Sequence, residues 1–365
     1  MPGRGDGIQS DRKDRPPLDG SLPAAPEEIR APWLARVLGT PVSEVRVEDA
    51  HSGTTGRAVL GVTWGAGVDR PQRLFAKLPP TDPTQRQMID GTDMGRREAR
   101  FYAGLSRAVP VRVPEALWSG WGEHPSEFLM LLEDLEGSGC DFPKVGDPGL
   151  LAFTRALMVE LARLHAAFAD PLRLARDFAW VEGTMRNEWG RVLVQAGLDA
   201  FRDASPPEFT AIAELYVARM EDVNDLLDRG SHTLIHGDCH LGNLFRDGAR
   251  PGFLDWACTA RAPGPRDVAY FLCNSIPTEL RREQERDLLE RYRDALAEAG
   301  AAAPSFDALW EDYRRLALTS WVAAVTTAAA GSRMQPIEVG MRAMQRTNAA
   351  VQDLDSLALL RAELG

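Results

Sequence analysis

Cysteine is scarce. The chain of 365 residues holds four, Cys140, Cys239, Cys258 and Cys273, and no two form a C-x-x-C pair. That excludes a disulfide framework and suits a reducing compartment. Long apolar runs are missing too: the longest candidates are broken by Arg, Asp or Pro before they reach the length of a membrane helix. The first residues, "MPGRGDGIQSDRKDRPPLDGSLPAAPEE", carry charges and prolines but no apolar core, so they do not read as a signal peptide. Residues 1–23 are expected to be a disordered tail, and the expected location is the cytoplasm. A basic stripe is absent. The net charge is −11 and Lys and Arg are scattered at helical spacing, which speaks against a nucleic-acid partner. No repeat recurs with a period of about 20–50 residues, which excludes a solenoid.

What is there fits a soluble globular protein, with 44% hydrophobic and 26% charged residues. The length exceeds one compact core and predicts two domains or lobes. After a short helical segment, "APEEIRAPWLARVLG", the pattern turns to strands: "SEVRVEDA", "AVLGVTWGAG" and "QRLFAKLP", then "PEALWSGW" and "SEFLMLLEDL". Between the third and fourth lies "GRREARFYAGLSRAV", with Ala99, Tyr102, Leu105 and Val109 at helical spacing. Residues 24–134 therefore read as a small α+β unit with one helix among its strands. A Gly/Pro-rich connector, "LEGSGCDFPKVGDPG", leads into residues 135–365, which read as mostly helical. Leu150, Phe153, Leu157, Leu161, Leu164 and Phe168 share one helix face, and further helices are expected at about 207–228, 278–300, 305–330 and 335–364. The helical run is interrupted once, at residues 231–262.

That interruption contains "LIHGDCHLGNLF", followed by "PGFLDWACTA". Asp238 and Asn243 lie five apart, and Asp255 follows twelve later. "NLF" and "GFLDW" are short apolar runs joined by turn residues, and a β-hairpin there brings Asn243 and Asp255 to the same end. Two oxygen donors side by side suit Mg²⁺, which keeps positions open for water and phosphates. Asp238, in the loop before them, is placed to accept a hydrogen bond from a hydroxyl. This is the layout that phosphoryl transfer needs.

These motifs resemble the aminoglycoside/choline phosphotransferase group of the protein-kinase-like fold. "EDL" at 133–135, "REARFY" at 97–102 and the Cys after Asp238 look most like its ecdysteroid-kinase-like branch. The resemblance implies a two-lobed α+β fold, with a small antiparallel-sheet lobe and a larger helical one, and ATP and Mg²⁺ in the cleft. Asp238 would be the catalytic base, and Asn243 and Asp255 the Mg²⁺ ligands. His236 would be a structural histidine of the loop, and Asp267 an acid that braces the loop through backbone N–H groups. His240 occupies the place of a protein-kinase lysine and would touch the transferred phosphoryl group. Lys77 of "LFAKLP" would contact the nucleotide phosphates and pair with Glu98, 21 residues on. Gly53, Thr54, Thr55 and Gly56 of "HSGTTGR" would cover the phosphates, although no G-x-G-x-x-G is present. The stretch from Met130, including Glu133 and Leu135, would link the lobes and meet adenine. The implied reaction is transfer of a γ-phosphoryl group to a hydroxyl of a small molecule: an antibiotic, a sugar, a choline-like alcohol or an apolar, steroid-like one.

Plainer readings stand beside these. Asp238, Asn243 and Asp255 are also common turn residues. Lys77 could be a surface lysine, and Glu98 part of an exposed charged turn. Gly53 and Gly56 could belong to an ordinary hairpin loop. His236, Cys239 and His240 could bind zinc, but no second ligand pair is visible. Cys239 could be a nucleophile or a small apolar residue under the loop. His165 is expected to be a satisfied interior histidine. At the level of function the other class is a nucleotide-binding pseudokinase acting as a regulatory or scaffold module. The oligomeric state is not legible.

Overall fold

The computed structural model describes residues 21–53, 55–331 and 337–365. It divides into two compact units: one runs to Ala108 and resumes over Pro114–Gly139, and the other comprises Val109–Val113 and Cys140–Gly365. Among the described residues, no helix is long and apolar enough to cross a membrane.

The first unit opens with helix α1 (Ala31–Leu38), whose chain leaves through Gly39 in the left-handed region. Strands β1 (Val42–Ser52), β2 (Gly56–Trp64) and β3 (Arg73–Leu78) follow. β2 alternates with period two: Ala58, Leu60 and Val62 are buried while Arg57 and Thr63 are exposed. Two helices come next, α2 (Pro83–Thr92) and α3 (Met94–Ala103), and then β4 (Ala116–Trp121) and β5 (Phe128–Glu133). The strands form one antiparallel sheet in the order β1-β2-β3-β5-β4. Leu34 of α1 packs with Leu60, Leu74, Ala76, Leu78, Leu129 and Leu131 in a common core. Each such side chain contributes about 1.5–3 kcal/mol by leaving water. On the sheet, α3 is tied to β4 by Ser119 Oγ, which donates to the Ala99 carbonyl at 2.7 Å.

A single helix was expected between the third and fourth strands, and the chain forms two. α2 has little apolar pattern to announce it, and starts because Asp82 caps it, accepting from Gln85 N at 2.9 Å. It ends at Asp93 in the left-handed region, where α3 begins. The apolar spacing expected to run to Val109 stops earlier, because the chain leaves α3 at Gly104 and makes a 3-10 turn over Leu105–Arg107.

The second unit is largely helical: α4 (Leu150–Ala167), α5 (Pro171–Asp177), α6 (Trp189–Phe201), α7 (Pro207–Ala218) and α8 (Met220–Leu227) precede the interruption. After it come α9 (Pro265–Ser275), α10 (Thr278–Glu298), α11 (Phe306–Ala330), α12 (Ile337–Asp353) and α13 (Ser356–Leu364). The helices expected at 207–228 and 335–364 are each broken in two. Arg219 leaves the helical region at φ −132°, and Asp355 turns left-handed at φ 49°. α11 runs through the core against α6, α9 and α12, with Trp321 fully buried and its Nε1 donating to Asn348 Oδ1 at 2.8 Å.

The interruption holds four short strands. β6 (His232–Ile235) pairs antiparallel with β9 (Ala260–Pro263), and β7 (Leu244–Asp247) with β8 (Arg250–Phe253). The residues Val109–Val113 lie along this second pair. Phe253 N donates to the Arg112 carbonyl at 2.8 Å, Arg112 Nε meets Asp247 Oδ2 at 2.7 Å, and Arg250 donates to the Pro110 carbonyl at 2.7 Å. The hairpin is thus clamped from outside as well as by its own ladder.

Candidate active site

In the first unit Lys77 lies on β3, inside the sheet between Arg57 of β2 and Met130 of β5. Its Nζ is 2.5 Å from Glu98 Oε2 on α3, and the two side chains are 5% and 1% exposed. Charges this deeply buried are tolerated only as a pair, so the readings of a surface lysine and an exposed glutamate do not hold. Gly56 begins β2 opposite Ser52 and Leu78. A Cβ there would meet the Pro79 carbonyl at 2.7 Å, whereas Gly53 has open space around it. Thr55 is buried, and its Oγ1 finds no hydrogen-bond partner among the described residues. Thr54 lies outside the described residues. Glu133 ends β5, and its Oε2 accepts from Glu115 N at 3.1 Å. Leu135 is buried two residues on.

In the second unit the predicted residues converge on one loop. Asp267, near the start of α9, accepts from His236 N at 2.7 Å, Gly237 N at 2.9 Å and His165 Nε2 at 3.3 Å. Tyr292 OH donates to His165 Nδ1 at 2.8 Å, so each ring nitrogen of that interior histidine has one partner. Burial opposes the charge on Asp267, but the bonds from His165 and the loop outweigh it and hold its carboxyl below the ordinary aspartate value. His236 is fully buried. Its Nε2 donates to the Leu254 carbonyl at 2.9 Å and its Nδ1 accepts from Asp238 N at 3.3 Å. Gly237 turns the loop at φ 84°, where a Cβ would lie 2.2 Å from the Cys258 carbonyl.

Asp238 is thereby delivered to the surface of the loop, with its side chain 31% exposed. Asn243 Nδ2 donates both to the Asp238 backbone carbonyl, at 3.0 Å, and to Asp238 Oδ2, at 2.9 Å. With the amide N–H groups so used, the amide oxygen is the end of Asn243 available to a cation. The hairpin brings Asp255 alongside: Leu254 N donates to the Asn243 carbonyl at 3.0 Å, and Asp255 is the next residue. Asp255 sits in the left-handed region at φ 61°, ψ 67°, a conformation that costs a side-chain-bearing residue free energy. His240 uses Nδ1 to accept from Gly242 N at 3.0 Å, leaving Nε2 3.6 Å from Asp238 Oδ2, beyond hydrogen-bond reach.

The sequence profile of the phosphotransferase enzyme family matches residues 46–318, well over half of the chain. The chain belongs to this family. It is a phosphotransferase with the two-lobed, kinase-like α+β fold. Among solved structures it resembles choline kinase from Cryptosporidium parvum, with 11% identity, TM-score 0.51, and coverage of 88% of this chain and 91% of that one. It also resembles the GDP complex of aminoglycoside 2'-phosphotransferase-IIIa, with 17% identity, TM-score 0.50, and coverage of 83% and 93%. The gentamicin complex of APH(2")-IIa is similar at 13% identity, TM-score 0.50, and coverage of 91% and 99%. At these identities the likeness is one of fold. No curated protein sequence matches the chain.

For this phosphotransferase-family chain the zinc and cysteine readings have no support in the structure. His236 and His240 are committed to the loop, and Cys239 is fully buried. Burial, with the charges of Asp267 and Asp238 beside it, pushes the Cys239 thiol well above its ordinary value, away from a thiolate. Among the described residues no three His, Cys, Asp or Glu side chains gather where they could hold a metal ion. Sequence reasoning missed Tyr270, whose hydroxyl donates to Asp238 Oδ1 at 2.8 Å. The available signal was weak: Tyr270 stands three residues after Asp267, the spacing that puts both on one face of α9.

Proposed function

We propose that the chain transfers the γ-phosphoryl group of ATP, with Mg²⁺, to a hydroxyl of a small molecule. The observation that carries this reading is the three-residue arrangement of Asp238, Asn243 and Asp255. A partly exposed carboxylate is held at both oxygens, and beside it the backbone bond from Leu254 N to the Asn243 carbonyl brings Asp255, the next residue, close to Asn243 in the hairpin. In this assignment Asp238 orients the acceptor hydroxyl and takes its proton. Asn243 and Asp255 would hold Mg²⁺, for which one amide oxygen and one carboxylate are suitable oxygen donors. When bound, the ion neutralises the charge on the transferring phosphates. His236 and Asp267 keep the loop in shape, and His240 stands beside the base, where it meets the phosphoryl group.

Nucleotide binding is assigned to residues 24–134, and catalysis and acceptor binding to 135–365. Lys77, aimed by Glu98, contacts the phosphates. Gly53, Thr54, Thr55 and Gly56 form the covering loop. The buried Thr55 hydroxyl supports this: it has no hydrogen-bond partner among the described residues, and a polar atom so placed costs about 1–3 kcal/mol until a ligand satisfies it. Glu133 and Leu135 lie on the stretch that meets adenine.

For the acceptor, a neutral and rather apolar alcohol is favoured over a polycationic antibiotic. Less exposed acids of the second unit already face arginines: Asp228 with Arg186 and Arg266, Asp353 with Arg281 and Arg282, and Glu160 with Arg163 and Arg250. Such carboxylates are not available to meet several ammonium groups.

The test is a mass-spectrometric screen of pooled alcohols, sugars and antibiotics incubated with the protein, ATP and Mg²⁺. A gain of one phosphoryl group on a pool member is expected. Tight ATP binding with no gain on any member would instead favour a nucleotide-binding regulatory module.

A further inference from the structure

Asp238 is held from two sides. Asn243 Nδ2 reaches Oδ2 from within the loop, and Tyr270 OH reaches Oδ1 from α9. α9 runs beside the whole loop and grips it at three levels. Asp267 takes the N–H groups of His236 and Gly237, Tyr270 donates to Asp238, and Ser275 Oγ accepts from Leu241 N at 2.9 Å. Three of these four bonds fix the backbone. The one from Tyr270 fixes a side chain, the one that the proposed reaction uses.

We infer that Tyr270 is a positioning residue for the phosphoryl-transfer step, setting the plane of the Asp238 carboxylate so that a remaining lone pair meets the acceptor hydroxyl. The inference rests on the reading of Asp238 as the base. A carboxylate has about four acceptor sites on two oxygens. Two are used by Tyr270 and Asn243, which removes free rotation about the Cβ–Cγ bond and leaves sites for the incoming hydroxyl. Asp238 is the more exposed partner and Tyr270 is buried, so the donor is rigid and the acceptor is reachable. Burial, with the Asp238 charge beside it, pushes the Tyr270 phenol well above its ordinary value, so the hydroxyl remains a donor at any working pH. A phenylalanine at this position would fill the same volume and remove only the bond.

The experiment compares wild type, Tyr270→Phe, Asp238→Asn and the double variant. The assays are phosphate release from MgATP with water as acceptor, phosphorylation of the pooled alcohols, calorimetric MgADP binding and thermal melting. Tyr270→Phe is expected to lower kcat about ten- to a hundredfold, the scale on which a misplaced catalytic group loses rate. The KM for ATP, MgADP affinity and melting temperature should stay at wild-type values. On the Asp238→Asn background, Tyr270→Phe should change nothing further. Tyr270→Phe at the wild-type kcat, with Asp238→Asn inactive, overturns the positioning role and leaves the base assignment standing. An equal loss from Tyr270→Phe on both backgrounds, or a loss matched by weaker MgADP binding and lower melting, also overturns it. Asp238→Asn at the wild-type rate, or a wild-type protein that transfers to neither water nor any alcohol, overturns both.

Discussion

Lys77 Nζ and Glu98 Oε2 stand 2.5 Å apart in an interior that admits almost no water to either. Each charge is stabilised there by the other, so removing one partner takes that stabilisation from a charge that stays buried. Glu98→Ala is expected to lower unfolding free energy by about 3–5 kcal/mol. The double variant Lys77→Met, Glu98→Leu should recover most of that loss while still binding ATP weakly. Urea unfolding checks the first statement and calorimetric titration with MgATP the second. Equal destabilisation by the single and double changes would show that the pair is not coupled.

Asp255 combines a charge with a left-handed backbone, and two substitutions separate these contributions. Asn tolerates the left-handed region, so Asp255→Asn should melt like wild type. It should nevertheless abolish the strengthening of ATP binding by Mg²⁺, measured as affinity with and without the ion. Asp255→Val should lose about 1–2 kcal/mol of stability besides, because a β-branched side chain is strained there. If Mg²⁺ strengthens ATP binding to Asp255→Asn as much as to wild type, Asp255 is not a ligand.

How much of this could be read from the chain follows from where the information is local. In the first unit β2 alternates with period two and β5 is a continuous apolar run, and the turn residues of "RDGARP" lie between two apolar runs, so the sheet elements and the hairpin are legible. So is the order Lys77, Glu98, Asp238, Asn243, Asp255, because chemistry-bearing residues interrupt apolar patterns. α2 is not legible, since its start depends on one capping aspartate and its faces carry little apolar contrast. Nor are the breaks at Arg219 and Asp355, which depend on a few backbone angles inside otherwise helical sequence. The pairing of β6 with β9 and the bond from Tyr270 to Asp238 join residues 25 and 32 apart at their closest and are fixed only by the packed unit. Tyr270 looks like any core aromatic until the loop is laid along α9.

Asp267 gives the fold an acid sensitivity whose sign can be worked out. Its carboxyl is held below the unfolded value, about 3.8. The charged form is therefore favoured by folding, and the stability it contributes is present above that value and is lost as pH falls through the lower folded one. Asp267→Asn removes this proton uptake. Its urea midpoint should start lower than that of wild type at neutral pH, and it should then fall less steeply as pH drops through the acid range below about 3.8. Parallel slopes for the two proteins in that range would mean that Asp267 does not titrate differently on folding.

Cys239 adjoins Asp238 in sequence, and a thiol beside a carboxylate invites a covalent mechanism. Its surroundings oppose one. The side chain is fully buried, and burial together with the neighbouring Asp267 and Asp238 charges disfavours the thiolate. A thiol in that state packs as a small apolar group. Cys239→Ala should therefore cost about 1 kcal/mol or so of stability through the small void it leaves, with phosphoryl-transfer rate within about twofold of wild type. Iodoacetamide should leave Cys239 unmodified in the folded protein, as read by peptide mass spectrometry, and modify it once urea opens the chain. Rapid modification of the native protein at Cys239, matched by loss of transfer, would restore the covalent reading and displace Asp238 from the centre of the site.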